Sequence, residues 1–420
     1  GGGVMRQQLF SRCVTHRMGV AFLLVASLGL PMGTQALADD LSAIAATDEA
    51  SGQWAASFSS QVQYYSWESS SGYPAAPLST DGSGSQVYVP IALQLSHQTA
   101  DVFNIELQIR SGYVYSRQSN NGVSSSTRGT TDTSLSTSLS YTGFSSFQPF
   151  LSLSTNLPTG DSSSSGAANT SSDSDIVAAD TYGEGFNGGA SVGANIPLTE
   201  DFLASLGFGY TYRGSYDRAT LGNLDPGDTY SVNIGIGYEG DKLTTQAQLS
   251  YTGETETTVN GAPYYQSGGT IASTLALSYA WDDAIASRLN ASFSHIEKNK
   301  ILPVGTTSLV SEAFNSNSNV IQLDSNVTYS GENYIIGPTL GFLYRDHNAW
   351  SPADLQFLSA KTKWSVGVTG QYALKLTPMH GKPPSAPVGS FERDVHAPHF
   401  LRSVACIASH IDLRQHGRCG

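Results

Sequence analysis

The chain has 420 residues, and only 13% of them are charged, with Lys+Arg 21 against Asp+Glu 34 and a net charge of −13. That balance argues against a nucleic-acid partner, and 10% aromatics with 21 Tyr argue against disorder. Tyr, Thr, Val, Ser and 43 Gly point to β structure with polar, Gly-rich connections rather than to helices.

The first element is a targeting segment. Arg6, Arg12 and Arg17 precede and enter the apolar run MGVAFLLVASLGL (18–30), and ALA (36–38) before Asp39 gives a small-x-small cleavage site. A signal peptide over 1–38 is expected, followed by a short periplasmic segment over 39–53. Cys13 precedes the apolar run, so a lipoprotein attachment site is not expected there. No later stretch offers the run of about 18 apolar residues that a membrane-crossing helix needs. Cys406 and Cys419 are the other cysteines; one bond between them cannot organise a fold that lies before them.

Fourteen strands follow, near 55–67, 86–97, 102–117, 132–142, 147–157, 188–198, 202–214, 229–239, 243–253, 268–281, 285–297, 319–330, 334–346 and 362–376. Most run to lengths that suit a tilted strand crossing a bilayer, about 9–11 residues, better than the 5–6 of a globular strand. Connections after odd-numbered strands are long (68–85, 118–131, 158–187, 215–228, 254–267, 298–318, 347–361). Those after even-numbered strands are short, such as TED (199–201) and SGEN (330–333). This alternation matches an outer-membrane barrel, with short periplasmic turns and long outer loops.

The two faces of each strand differ. In 202–212 Phe202, Leu206, Phe208, Tyr210 and Tyr212 oppose Ser205, Gly207 and Gly209; in 229–239 Val232, Ile234 and Ile236 oppose Asn233 and Gly235. A water-exposed face of a soluble protein carries more Lys and Glu than this polar face does. Tyr and Trp gather at strand ends (Tyr141, Tyr238, Tyr279, Trp281, Tyr329), where an aromatic girdle meets headgroups. The expectation for LTTQAQLSY (243–251) is therefore that Leu243, Leu249 and Tyr251 face lipid while Gln246 and Gln248 face a lumen. The fold class expected is all-β: a transmembrane antiparallel up-and-down barrel of about 14 strands over 54–378.

LSLSTNLPTGD (151–161), a polar loop and GGASVGANIPLTEDFLASLGFGYTYRG (188–214) resemble the outer-membrane barrels of the phenol-degradation MetA-pathway/transporter-like family of Gram-negative bacteria. The resemblance implies transport of small solutes, hydrophobic or aromatic compounds among them; it does not carry a substrate.

An enzyme needs a nucleophile, a base and an orienting group together. His97, His295 and His347 fall near separate strand ends with no GxSxG elbow, and are read as interfacial or loop histidines. No metal-ligand spacing occurs in the barrel region, and no cofactor is expected. Asp173, Asp175 and Asp180 in loop 158–187 are weak candidates for binding a cation against the reading of a solvated loop. Parity turns Glu106, Arg110, Arg213, Arg288, Asp324 and Arg345 inward as pore-lining candidates, with Lys363 and Lys375. Arg110, Arg213 and Arg345 are expected toward the outer mouth and Arg288 toward the periplasm. An arginine cluster facing Glu106 or Asp324 would make a transverse field; mutual pairing that simply fills the barrel is the alternative.

After LKLTP (374–378) the alternation stops, and 379–420 is rich in His and Pro. Two readings stay open: a barrel complete at 14 strands with an atypical, disordered tail, or an aberrant chain end replacing the last two strands of a 16-stranded barrel. The function expected is a passive channel or transporter for small solutes in the bacterial outer membrane. Its expected partners are lipid and lipopolysaccharide, the barrel-assembly machinery and a small solute. The alternatives are a structural or adhesive surface barrel and, third, a soluble β-sandwich.

Overall fold

The structure is a computed structural model that describes residues 54–71, 82–99, 102–120, 123–160, 185–218, 222–312, 317–350 and 356–374. The leader and periplasmic segment expected over 1–53, Asp173, Asp175 and Asp180, Lys375 and the tail lie outside the described residues.

Fourteen antiparallel strands form one ladder, each bonded to its sequence neighbour in the barrel. The first three are β1 (Trp54–Ser71), β2 (Gly82–Thr99) and β3 (Phe103–Asn120). An eight-residue strand, β4 (Val123–Thr130), extends β3 upward as a hairpin. The barrel continues with β5 (Thr133–Tyr141), β6 (Gln148–Leu157), β7 (Asn187–Pro197) and β8 (Phe202–Arg213). Then come β11 (Thr229–Glu239), β12 (Leu243–Glu254), β15 (Thr270–Ala280), β16 (Ile285–Ile296), β19 (Ser318–Ser330), β20 (Tyr334–Trp350) and β21 (Gln356–Leu374). β21 pairs with β1 from Ala56↔Leu374 to Ser71↔Ser359, so the barrel closes. Both edges of the sheet are consumed by that pairing, so the described strands close as a barrel of 14.

The faces are inverted relative to a soluble protein. Ile234, Leu249, Phe208 and Val366 are about half exposed, while Ser205, Asn233, Gln63 and Gln371 are buried. Leu243 and Leu249 face outward as their parity requires. A surface apolar on this scale, wrapped around a buried polar interior, is the lipid face of a transmembrane barrel. Aromatic rings close the belt at the short-turn end, in pairs: Trp54 stacks on His97 at 4.6 Å, Phe202 meets Tyr238 at 5.0 Å and Tyr279 meets Trp281 edge-on at 4.9 Å. At the other end, Phe342 packs on Trp364 at 4.6 Å and Tyr230 faces Tyr251 at 6.2 Å. These rings suit the headgroup level, where an apolar body and a polar tip are both solvated.

Two features above the belt depart from the expected loops. β1, β2 and β3 have 18 residues each, β20 has 17 and β21 has 19. At ~3.3 Å per residue and a tilt of ~40° such a strand rises ~45 Å, well past an apolar band of ~25 Å. The expected long loops 118–131 and 347–361 are therefore largely strand, and strand takes up both ends of 68–85, forming a tall wall on one side. The loops after β8, β12 and β16 hold a second, six-stranded sheet: β9 (Tyr216–Arg218), β10 (Gly222–Asp225), β13 (Thr257–Val259), β14 (Ala262–Gln266), β17 (Lys300–Ile301) and β18 (Val310–Ser311). Its tightest turn is Asn260–Gly261, with φ of 50° and 78°, the left-handed pair that a two-residue hairpin needs.

A bulge interrupts the wall between β4 and β5. Tyr113 pairs with Thr130 and Arg110 with Ser134, so 131–133 oppose only Ser111 and Gly112. Asp132 is 1% exposed there and accepts the Gly160 amide at 2.7 Å and Asn156 Nδ2 at 3.0 Å. Removing this carboxylate strands two donors, so Asp132→Ala is expected to destabilise the barrel by about 1–3 kcal/mol. A urea titration in detergent micelles checks it; an unchanged midpoint would mean that water replaces the carboxylate freely.

Candidate functional site

The lumen has two unlike walls. Along β7, β8 and β11 the inward residues are small and polar: Ser191, Asn195, Ser205, Gly207, Ser231 and Asn233. Inward groups of β12, β15, β16 and β19, such as Gln248, Thr274, Asn290 and Gln322, keep partial exposure and line a wetter track. The wall from β19 through β20, β21, β1 and β2 to β3 carries large side chains instead.

That wall holds an aromatic patch, namely Tyr65 and Trp67 of β1, Tyr88 of β2, Val114 of β3 and Leu343 of β20, with Val320 of β19 packed against it. Two of its three aromatic rings, Trp67 and Tyr88, lie over a glycine. A Cβ at Gly84 would come 2.1 Å from the Trp67 ring, and one at Gly112 would come 2.8 Å from Tyr88. Trp67 pairs across the ladder with Gly84, and Tyr88 pairs with Val114. Glycine on a neighbouring strand is thus what gives a large ring room to lie flat against the inside of the wall. The patch stands level with the outer girdle, since Tyr65 follows outward Tyr64 and Leu343 lies between outward Phe342 and Tyr344.

Polar groups frame it. Lys363 is buried, and its Nζ lies 5.1 Å over the centre of the Tyr65 ring; Tyr65 Oη donates to Gln63 Oε1. Arg110 Nη2 donates to Tyr88 Oη at 3.1 Å. Asp324 accepts Gln322 Nε2 and lies within electrostatic reach of Lys363. Gln61 Nε2 reaches Thr339 Oγ1 at 3.4 Å, tying β1 to β20 across the inner face of β21.

The six sequence-derived pore candidates are scattered rather than gathered. Glu106 lies four residues into β3, opposite Ser96 and Ser138. Arg110 lies at mid-strand rather than at the mouth, the eighth of 18 residues, because β3 continues to Asn120. Arg213 ends β8 at the outer mouth, 3.6 Å from Glu254 at the end of β12, and its amide donates to Asp228 Oδ1 at 3.0 Å. Arg288 sits four residues into β16, near the short-turn end. Asp324 and Arg345 share the aromatic wall, and Lys363 lies within electrostatic reach of Asp324. Lys363 comes within that reach because β21 is the strand two places from β19, and Arg288 stands on the adjoining β16 opposite Asn326, two residues from Asp324.

The patch was legible only in part. Tyr65 and Trp67 share the odd parity of Gln61 and Gln63 in SQVQYYSW (60–67), so they point inward even though aromatics elsewhere point to lipid. An inward aromatic with an inward glycine on the next strand was the usable signal.

The fold and site define a closed, bilayer-spanning β-barrel with a polar lumen bearing one aromatic wall. No family profile matches the chain, and no curated protein matches it. Among solved structures it is similar to an outer membrane channel from Pseudomonas putida F1, at 11% identity and a TM-score of 0.44, covering 78% of this chain and 97% of that one. It is also similar to the toluene transporter TodX of Pseudomonas putida (11% identity, TM-score 0.42, covering 82% of this chain and 94% of that one) and to a FadL homologue of Pseudomonas aeruginosa (10%, 0.40, covering 79% and 92%). At this distance the solutes of those channels do not define the solute of this one.

Proposed function

We propose that this protein is an outer-membrane channel through which small solutes, aromatic and hydrophobic compounds among them, pass passively. The observation that carries the reading is the closed barrel with lipid-facing apolar strands and an aromatic wall inside an otherwise polar lumen. A barrel of 14 strands lies between those that side chains fill and the 16–18-stranded porins with aqueous channels, which suits a narrow pore. Lipid, lipopolysaccharide and the assembly machinery are the partners such a location requires. Kinship with the MetA-pathway transporter-like barrels belongs to this proposal and rests on the LPTGD element (157–161) and the hairpin 188–214.

The protein is read as non-enzymatic. His97 is engaged with the Trp54 ring, and His295 Nδ1 lies 2.9 Å from Asn319 Oδ1, which are interfacial roles; the His347 side chain lies outside the described residues. The adhesive reading draws on the six-stranded sheet above the mouth. Heat-modifiable, refolded protein inserted in a planar bilayer separates the two. Stepwise potassium chloride conductance is the expected result, and a folded barrel that carries no current would overturn the channel in favour of the adhesin.

A further inference from the structure

Resting on the outer-membrane location and not on the channel reading, we infer that the outer face of β3 holds a phosphate group of lipopolysaccharide at Arg117. On the barrel strands, Arg110, Arg213, Arg288, Arg345, Lys361 and Lys363 all have the inward parity. Arg117 alone among the described barrel-strand cations points outward. It is exposed between buried Ser116 and Gln118, on the face of Tyr113 and Tyr115, which are 45% and 40% exposed. Among the described residues it has no ion-pair partner. The height of this cation is set by the same strand. Phe103 opens β3 and Tyr113 lies ten residues on, with Ile105, Leu107 and Ile109 outward between them. At ~3.3 Å per residue and a tilt of ~40° those rings stand ~25 Å apart, the height of the apolar band. Arg117 is roughly 10 Å higher than Tyr113 on the same reckoning, beyond Tyr115. A guanidinium there has left the hydrocarbon and meets the headgroup layer, where the outer leaflet carries the phosphates of lipid A.

The surroundings of Arg117 suit a phosphate. Ser85 on β2 and Ser126 on β4 pair with it directly, so a small hydroxyl flanks it on each side and no bulky neighbour covers it. Arg128 is exposed on the same face, opposite Tyr115 and diagonal to Arg117. A guanidinium has five donors, so Arg128 keeps its contacts and still turns donors toward a phosphate that Arg117 grips. No Asp or Glu shares this face on β2, β3 or β4 among the described residues; Glu68 is a strand further away, on β1 opposite Ser83. A phosphate monoester carries nearly two negative charges at neutral pH, and an arginine fork meets two of its oxygens at once. The tyrosines below take the boundary between sugar and acyl chain, where an apolar ring with a polar tip belongs. A chain of net charge −13 is repelled by an anionic leaflet as a whole, and this face is where the barrel wall offers attraction instead.

The test uses the full-length chain refolded in nonionic detergent, with a heat shift on a gel as proof of folding. Fluorescent lipid A bearing both its phosphates is titrated against the same lipid A with the phosphates removed, and fluorescence anisotropy reads binding. The expected result is that the phosphorylated lipid binds at least about tenfold more tightly. Arg117→Gln is expected to remove most of that preference, and Arg117→Lys, which keeps the charge but not the fork, to fall between. Should Arg117→Gln show no heat shift, Ser126→Glu sets a carboxylate opposite the intact arginine and is expected to abolish the preference. Lys298→Gln with Lys300→Gln removes two exposed cations elsewhere and is expected to change nothing. Equal binding of the two lipids, or an equal loss in the lysine pair, overturns the inference. Displacement of lipid A by an equimolar amount of inorganic phosphate would mean a site for free anions and also overturns it. None of these outcomes bears on conductance, so the channel reading stands or falls separately.

Discussion

Replacing Ile234 with arginine is expected to cost about 2–4 kcal/mol of barrel stability, the price of a cation at the bilayer midplane. Ile234 is the sixth of 11 residues in β11, half exposed, and flanked on the outer face by Leu206 and Leu249. The contrast is Gln248→Arg, one strand away on β12 and paired with Gly235. That side chain points into the wet track, where the guanidinium keeps its water, so a change under about 1 kcal/mol is expected. Urea unfolding in phospholipid vesicles reads both. Equal costs for the two variants would mean that the faces have been assigned wrongly, and with them the bilayer.

Trp67→Ala is expected to move stability and conductance in opposite directions. The ring is 1% exposed and lies between Gly84 and the Tyr65–Lys363 contact. Truncating a buried tryptophan costs about 3–5 kcal/mol where neighbours cannot collapse into the space. They cannot do so here, because the glycine beneath offers no side chain. The same loss clears the outer lumen, so single-channel current rises. Gly84→Val is the companion: its Cβ meets the Trp67 ring at 2.1 Å and drives the ring off the wall into the lumen. Its stability falls as well, but its current drops. Both currents falling together would mean that unfolding, not the position of the ring, governs conduction.

The parts of the fold that could be read in advance follow from a period of two. The strand expected over 229–239 is β11 residue for residue, and most other boundaries fall within three residues of the observed ends. The misses share one cause. The upper halves of β1, β2, β20 and β21 leave the apolar belt, so outward positions turn polar, as at Ser66, Glu68, Ser83, Ser85, Asp346 and Thr362, and the alternation fades, although the backbone ladder goes on. The hairpin β13–β14 carried a usable mark, Asn260–Gly261 between TTV and APYY, that strand periodicity alone does not register. The bulge at Thr131–Asp132 left no such mark.

Sequence by itself determined which residues form strands, which face of each strand meets lipid, and which ends carry the girdles. All three follow from neighbours one or two positions apart, through the pleat and the transfer cost of a side chain. Closure at 14 strands was decided only by the pairing of β1 with β21, some 300 residues along the chain. The same pairing set Lys363 beside Tyr65 and brought Leu343 to Trp67 and Tyr88. Inward parity says that a side chain enters the lumen; which other side chain it meets there depends on the ladder register of strands far apart in sequence, and no local pattern encodes that.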